Sequence, residues 1–101
     1  MEFTTIKVTG INEKVLENEG FIYSANGYYK EIPGCFRFAW FLYITDDDIY
    51  GTIEGKMGND EVLDIDDWIN RMAFRSPNKA EETKKLIERL IRIGAVEAET
   101  K

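Results

Sequence analysis

The sequence predicts an α+β domain, with β structure in the first third and helices in the last. Three observations carry this expectation. Asn26-Gly27 stands between two β-prone runs in FIYSANGYYKEI (21–32), the strongest short-range hairpin signal, because a type I′ turn needs positive φ at both central positions. LDIDDWINRMAFRS (63–76) places Ile65, Trp68, Ile69 and Met72 on the i, i+3, i+4, i+7 stripe of an amphipathic helix. After a short break a second stripe follows, with Thr83, Leu86, Ile87, Leu90 and Ile91.

Taken in order, FTTIKVTGI (3–11) is rich in β-branched residues and puts Ile6 and Val8 on one face. NEKVLENEG (12–20) is polar and reads as a helical turn closed by Gly20. A type I′ hairpin centred on Asn26-Gly27 opposes Ala25 to Tyr28, Tyr23 to Lys30 and Phe21 to Ile32, which makes one face mostly aromatic. Pro33-Gly34 ends that unit. CFRFAWFLYIT (35–45) admits two readings. As a strand it pairs with IYGTIEGKM (49–57) across the intervening aspartates, and its aromatic content favours this. As a helix it is apolar nearly all round and must be buried on most sides.

The C-terminal third carries clear boundary signals. Asp64 is the expected N-cap, with Asp67 three residues on, and Leu63 and Trp68 flank the cap as a hydrophobic staple. Ser76-Pro77 ends this helix, since proline disfavours helical geometry in its predecessor. The next helix is expected to begin at Asn78, with Glu81 at the capping-box position and Gly94 as the stop. AVEAE (95–99) forms a short strand or a frayed end.

A chain of 101 residues, 44% hydrophobic and 32% charged, is one domain with one core. The start, Met1-Glu2-Phe3, does not read as a signal peptide, and the longest uncharged run, FAWFLYIT (38–45), is too short to span a bilayer. A single cysteine, Cys35, forms no internal disulfide, so the expected setting is cytoplasmic; beside Phe36 and Phe38 it reads as a small buried hydrophobe. A net charge of −6 excludes a nonspecific nucleic-acid coat. Residues 76–93 nevertheless hold five of the 13 basic and three of the 19 acidic residues, so that segment is +2 and the remainder −8. A locally basic helix on an acidic body points to anionic partners.

The stretch YITDDDIYGTIEGKM (43–57) has the look of a metal loop. Started at Asp46, a calcium loop finds Asp48 at its third position and Gly51 at its sixth, but Tyr50 at the fifth and Met57 where a bidentate glutamate belongs. The spacing therefore favours a solvated acidic turn. A magnesium site would need Asp46, Asp47 and Asp48 to converge with Asp64, Asp66 or Asp67, two of which already serve a helix start. With no histidine, the common acid–base and nucleophile–base pairs are absent. Neither a catalytic residue nor a cofactor is expected.

From residue 35 onward the order is aromatic segment, acidic loop, GTIEG, capped helix, turn, amphipathic helix and GAVEAE. This resembles the winged helix-turn-helix domain at the N-terminus of phage replisome-organiser and DnaD-like replication proteins. The resemblance rests on Asp47, Asp48, Gly51 and Ile53, then on Leu90, Gly94, Ala95, Val96 and Glu97, and spans about residues 35–99. It implies a winged-helix-like core (helix, short strand, helix, helix, short strand); the β-hairpin region at 1–34 has no counterpart in that family and either substitutes for the wing's sheet or forms an oligomerisation arm, as in a homodimer. It also implies a non-enzymatic phage or mobile-element module that binds double-stranded DNA or a replication or regulatory protein. In that reading the second helix presents Asn78, Lys79, Thr83 and Lys84 to DNA, with Asn78 and Lys79 at base edges and Lys84, Lys85 and Arg89 at phosphates.

Two further readings come from the residues themselves. Glu81–Lys85 and Glu88–Arg92 are i,i+4 pairs on what could be an ordinary solvated helix face. The acidic body suits an inhibitor, a nucleic-acid mimic or host-defence antagonist, that occupies a basic protein surface through Asp46, Asp47, Asp48, Tyr43 and Tyr50. Tyr23, Tyr28 and Tyr29 would extend such a surface unless the hairpin packs them on the core.

Overall fold

The computed structural model describes residues 3, 6–34, 37–55 and 60–100. Cys35, Phe36 and Met57, on which the buried thiol and part of the calcium test turned, lie outside the described residues. The chain is α+β. Strand β1 (Ile6–Ile11) leads into a short helix α1 (Glu13–Asn18), then β2 (Ile22–Ser24), β3 (Gly27–Glu31), β4 (Ala39–Ile44), β5 (Ile49–Glu54) and β6 (Glu61–Asp64). Helices α2 (Ile65–Arg75) and α3 (Pro77–Arg92) follow, and β7 (Val96–Thr100) ends the described chain. Strands β2 to β6 form an antiparallel meander in chain order, while β1 pairs with β7 in a separate two-stranded sheet.

Residues 39–44 are a strand, which corrects the helix that a winged-helix-like core requires there. The cause is visible in AWFLYI. Trp40, Leu42 and Ile44 are buried, and Ala39, Phe41 and Tyr43 are half-exposed on the other face. The segment looked apolar all round because both faces of the strand carry large side chains. Period-two alternation with rings on the open face satisfies it, whereas a helix would have had to bury every side.

The hairpin forms as expected, but its turn is centred one residue earlier and its strands pair two residues out of the expected register. Ser24 opposes Gly27, Tyr23 opposes Tyr28 and Ile22 opposes Tyr29, so the turn is centred on Ala25-Asn26. The Ser24 hydroxyl accepts from the Asn26 N–H at 3.3 Å and donates to the Gly27 carbonyl at 3.0 Å. Serine at the first position and glycine at the fourth suit a type I turn, which competes with the I′ alternative. Gly27 is held there by geometry: its φ is +115°, and a Cβ would lie 2.6 Å from the Ile44 carbonyl oxygen. A shift of two residues in the pairing leaves each side chain on its expected face, and Phe21, Tyr28 and Ile32 pack inward while Tyr29 faces outward.

The helical third matches its boundary signals closely. Asp64 caps α2 by accepting from the Asp67 N–H at 2.9 Å. Ile65, Trp68, Ile69 and Met72 are all buried. Helix α3 starts at Pro77, one residue before the expected Asn78, because proline suits the first helical position and Ser76 caps it through the Lys79 N–H. Gly94, at φ +80°, turns the chain into β7, which pairs along β1.

One core results. Helix α2 lies on the inner face of the meander, with α3 against α2 and β7. The closest approach is at Gly51 on β5, where the Trp68 ring lies so near that an added Cβ would sit 2.2 Å from it. The indole Nε1–H donates to the Thr52 carbonyl at 3.1 Å. Gly51→Ala is therefore expected to lower stability by about 1–3 kcal/mol, the usual cost of overpacking. The readout is a lower urea midpoint with an unchanged slope. An unmoved midpoint would mean that Trp68 is not seated on β5.

Candidate protein-interaction face

With α2 on its inner side, the meander leaves its other side open, and register places the residues there in rows. The first row crosses all five strands as Ile22, Tyr29, Tyr43, Tyr50 and Asp64. The second reads Glu31, Phe41, Thr52 and Val62, and the third pairs Ala39 with Glu54. At about 4.8 Å between strands, the first row is about 19 Å long.

The tyrosines of this row form a ladder. Tyr43 and Tyr50 stack at 5.0 Å between ring centroids with planes 5° apart, and Tyr29 and Tyr43 stack at 5.5 Å. Phe41 meets Tyr29 edge-on at 5.8 Å. Each ring shields part of its neighbour, so the four are only half-exposed. Beyond them Ile22 and Val62 are 56% and 71% exposed, which continues an apolar surface towards both sheet edges. Contiguous exposed apolar surface with a polar rim is characteristic of an interaction site. Thr52 sits between Phe41 and Val62 with 7% exposure, and its hydroxyl has no hydrogen-bond partner among the described residues.

The rim is acidic. Residues 21–64 contain eight acidic and three basic residues, Lys30, Arg37 and Lys56, a net charge of −5 out of the chain's −6. Lys30 turns away from the open face to donate to the Glu19 carbonyl at 2.8 Å, and Arg37 lies over the Phe38 ring. Asp46 and Asp47 are the exposed tip of the β4–β5 turn, which Thr45 holds by accepting from the Asp47 and Asp48 N–H groups at 3.2 and 3.0 Å. The Asp48 carboxylate accepts from the Ile49 N–H at 2.8 Å. Among the described residues no group of three or more His, Cys, Asp or Glu could hold a metal. Burial, then Glu54, the neighbouring tyrosines and Asp60, pushes the Tyr43 phenol above its ordinary pKa; burial and then Asp48 do the same to Tyr50. The ladder thus lies in a negative field.

The residues expected to face DNA are not gathered in the same way. Thr83 is a packing residue: it is 2% exposed, donates to the Lys79 carbonyl at 2.8 Å and touches the Met72 sulfur, so it cannot meet a base edge. Lys79 pairs with Glu82 at 3.3 Å, and Arg89 with Glu19 at 2.7 Å. Asn78 and Lys85 are exposed and Lys84 is half-exposed. Tyr43 and Tyr50, by contrast, pair on the open side of the sheet with Asp48 acting on Tyr50, whereas Asp46 and Asp47 line a cavity at the hairpin end with Glu13, Tyr23 and Tyr28. Sequence reasoning missed Phe41, Thr52 and Val62 as their companions, although Tyr50, Thr52 and Glu54 alternate with Ile49, Gly51 and Ile53 in period two. Phe74, 94% exposed on α2 beside Leu63 and Arg71, was missed as well. No helix among the described residues is long and apolar enough to cross a membrane. No protein-family model matches the chain, and neither a curated protein nor a solved structure matches it.

Two outcomes follow from this geometry. Because the folded chain favours the neutral phenols of Tyr43 and Tyr50, the unfolded chain loses those protons first as pH rises past about 10. Their contribution to stability is intact below that pH and lost above it, as the folded phenols ionise. Phenolate absorbance should show a late component that Tyr43→Phe and Tyr50→Phe reduce, the remainder coming from Tyr28, whose phenol burial and then Glu13, Glu17 and Tyr23 also raise. Thr52→Val, which deletes a buried hydroxyl without a partner among the described residues, should be neutral or stabilising by up to about 1 kcal/mol in thermal melts. A loss of several kcal/mol would show that the hydroxyl is bonded.

Proposed function

We propose that this chain is a non-enzymatic protein-binding module that occupies a basic surface of its partner with the acidic, tyrosine-lined face of its five-stranded sheet. The observation that carries the reading is the Tyr29–Tyr43–Tyr50 ladder, left open on the segment that holds nearly all of the net charge. Tyrosine is enriched where surfaces recognise proteins, and it adds contact area at low conformational cost. Sheet aromatics can also stack bases, but nucleic acid then needs cations beside the rings. Here the neighbours are carboxylates. Such a face suits an inhibitor that covers the surface with which another protein holds an anionic ligand.

The duplex-DNA reading keeps Lys84, Lys85 and Arg92 on α3, which form no ion pair among the described residues. It is the weaker reading, because Lys79 and Arg89 are already neutralised within the chain and Thr83 is buried.

The test is a pair of titrations, one with a mixed lysine–arginine peptide and one with duplex DNA. Affinity for the peptide should fall as salt rises. Reversing Asp46, Asp47 and Asp48 to lysine should weaken it by at least about tenfold, because three like charges then face the cation. The DNA titration should stay flat at low salt. Flat peptide binding, together with duplex binding that Lys84→Glu and Lys85→Glu abolish, would overturn the proposal in favour of the α3 reading.

A further inference from the structure

Away from the open sheet face, a cavity of about 400 Å³ lies at the hairpin end of the molecule. Three connections wall it: the β1–α1 junction with Glu13, the hairpin turn with Asn26, and the β4–β5 turn with Asp46 and Asp47. Tyr23 and Tyr28 complete the wall. We propose that this cavity binds a linear polyamine, an aliphatic chain that carries two or more ammonium groups. The site goes beyond the reading of the sheet face, because Tyr28 packs on the inner side of the sheet whereas Tyr29, Tyr43 and Tyr50 share the outer one.

The Tyr28 hydroxyl is the observation that points to a ligand. Tyr28 is only 5% exposed, yet its hydroxyl makes no hydrogen bond among the described residues. Unlike the Thr52 hydroxyl it is not sealed from solvent, and the residue belongs to the cavity wall. An enclosed hydroxyl without a partner costs stability until something bonds it. Burial, then Glu13 and Glu17, raise its pKa, so at neutral pH it offers an uncharged oxygen that can accept from an ammonium N–H. Charge is the second observation. Glu13, Asp46 and Asp47 are carboxylates, and none of the described residues in the wall is basic. They stand on different connections, and no three such groups among the described residues come together to hold a metal. A hard cation needs its oxygens gathered at about 2.0–2.6 Å, whereas separated carboxylates match charges spaced along a chain. The surface between them is the third. Tyr23 is 69% exposed and meets Tyr28 edge-on at 5.3 Å with planes 64° apart, so the pair is not stacked and ring face stays open. Open ring face attracts an ammonium group and covers the methylenes beside it. The walls are set before binding: Ser24 closes the hairpin turn through Asn26 and Gly27, and Thr45 holds the aspartate turn. Little ordering is then left for the ligand to impose.

The experiment titrates spermidine into the intact chain by calorimetry at low salt, with butylamine and magnesium chloride as controls at matched ionic strength. One spermidine should bind per chain, at least about tenfold tighter than either control, because its second ammonium binds as part of a chain already tethered. In nuclear magnetic resonance spectra the ring resonances of Tyr23 and Tyr28 should move and that of Phe41 should stay. Tyr28→Phe should weaken spermidine about five- to tenfold without lowering the thermal midpoint, since the hydroxyl bonds nothing among the described residues. Glu13→Gln, at an exposed position, should weaken it several-fold. Equal affinity for spermidine and magnesium, or spermidine binding that both substitutions leave unchanged, would overturn the proposal. So would a midpoint lowered by several degrees in Tyr28→Phe, which would show the hydroxyl bonded within the chain. A trilysine peptide that occupies the cavity more tightly than spermidine would overturn the free polyamine in favour of lysines on a protein partner. None of these outcomes decides the reading of the sheet face, because neither Tyr28 nor Glu13 belongs to it.

Discussion

The seating of Trp68 on Gly51 is the contact on which the rest of the structure depends. A glycine on β5 lets the indole approach the strand backbone, closer than any side chain at that position would allow. The Nε1–H then finds the Thr52 carbonyl, so the largest buried ring is also bonded. Trp40 fills the adjoining space at 6.0 Å. From that point the order of packing follows: α2 is held to the sheet, Met72 on α2 meets Thr83 on α3, and α3 leads through Gly94 into β7. Strand β7 closes the structure by pairing with β1.

The same contact decides which side of the sheet is free. Once Trp68, Ile69 and Met72 cover the inner face, the alternate residues of β3, β4 and β5 have no internal neighbour to meet. Five aromatic or aliphatic side chains therefore sit in solvent, and they limit the penalty by covering one another. Cross-strand ring pairs contribute a few tenths to 1 kcal/mol each, enough to hold the ladder in order without a partner. A partly ordered aromatic surface loses less entropy on binding than loose side chains would. The acidic turn beside it has a different origin. Its shape comes from the Thr45 hydroxyl and the Asp48 carboxylate, and only Asp48 among the three aspartates takes part through its side chain. Asp46 and Asp47 contribute charge and no scaffold.

Legibility in the sequence followed how local the determining interaction is. Both long helices could be read because their caps and stripes lie within one turn of the residues they govern, as with Asp64 and Asp67 or Ser76 and Pro77. The hairpin was legible in kind but not in register, since Ser24 and Gly27 can close a type I turn as readily as Asn26-Gly27 can centre a I′ turn. The identity of residues 39–44 depended on something not local at all: whether Phe41 and Tyr43 would be buried or left on an open face. That is settled by the helix that covers the other side. The resemblance to a winged helix shared this weakness. Its helix–helix–strand portion has counterparts in α2, α3 and β7, but its leading helix is β4. At the candidate site, Tyr29, Tyr43, Tyr50 and the aspartates were legible individually. Their companions Phe41, Thr52 and Val62 come together only through register across three strands.

Charge and topology together give the molecule a direction. The helices occupy one side of the meander, and the positive excess of α3, already reduced by its own Glu82, is partly cancelled there by Glu19. The open side carries carboxylates that few basic side chains offset, because Lys30 is drawn inward and Arg37 is held over Phe38. A basic partner approaching within a Debye length, about 8–10 Å at physiological salt, therefore meets an attractive field on the tyrosine side and a weaker, mixed one on the helical side. Steering of this kind raises the encounter rate and orients the partner before contact. The ring ladder then decides whether the encounter lasts, because a charged rim in water adds little affinity and desolvated aromatic contact adds most of it. The acidic turn and the tyrosines are in this sense two stages of one recognition surface, joined because Tyr43 and Tyr50 flank the turn on paired strands.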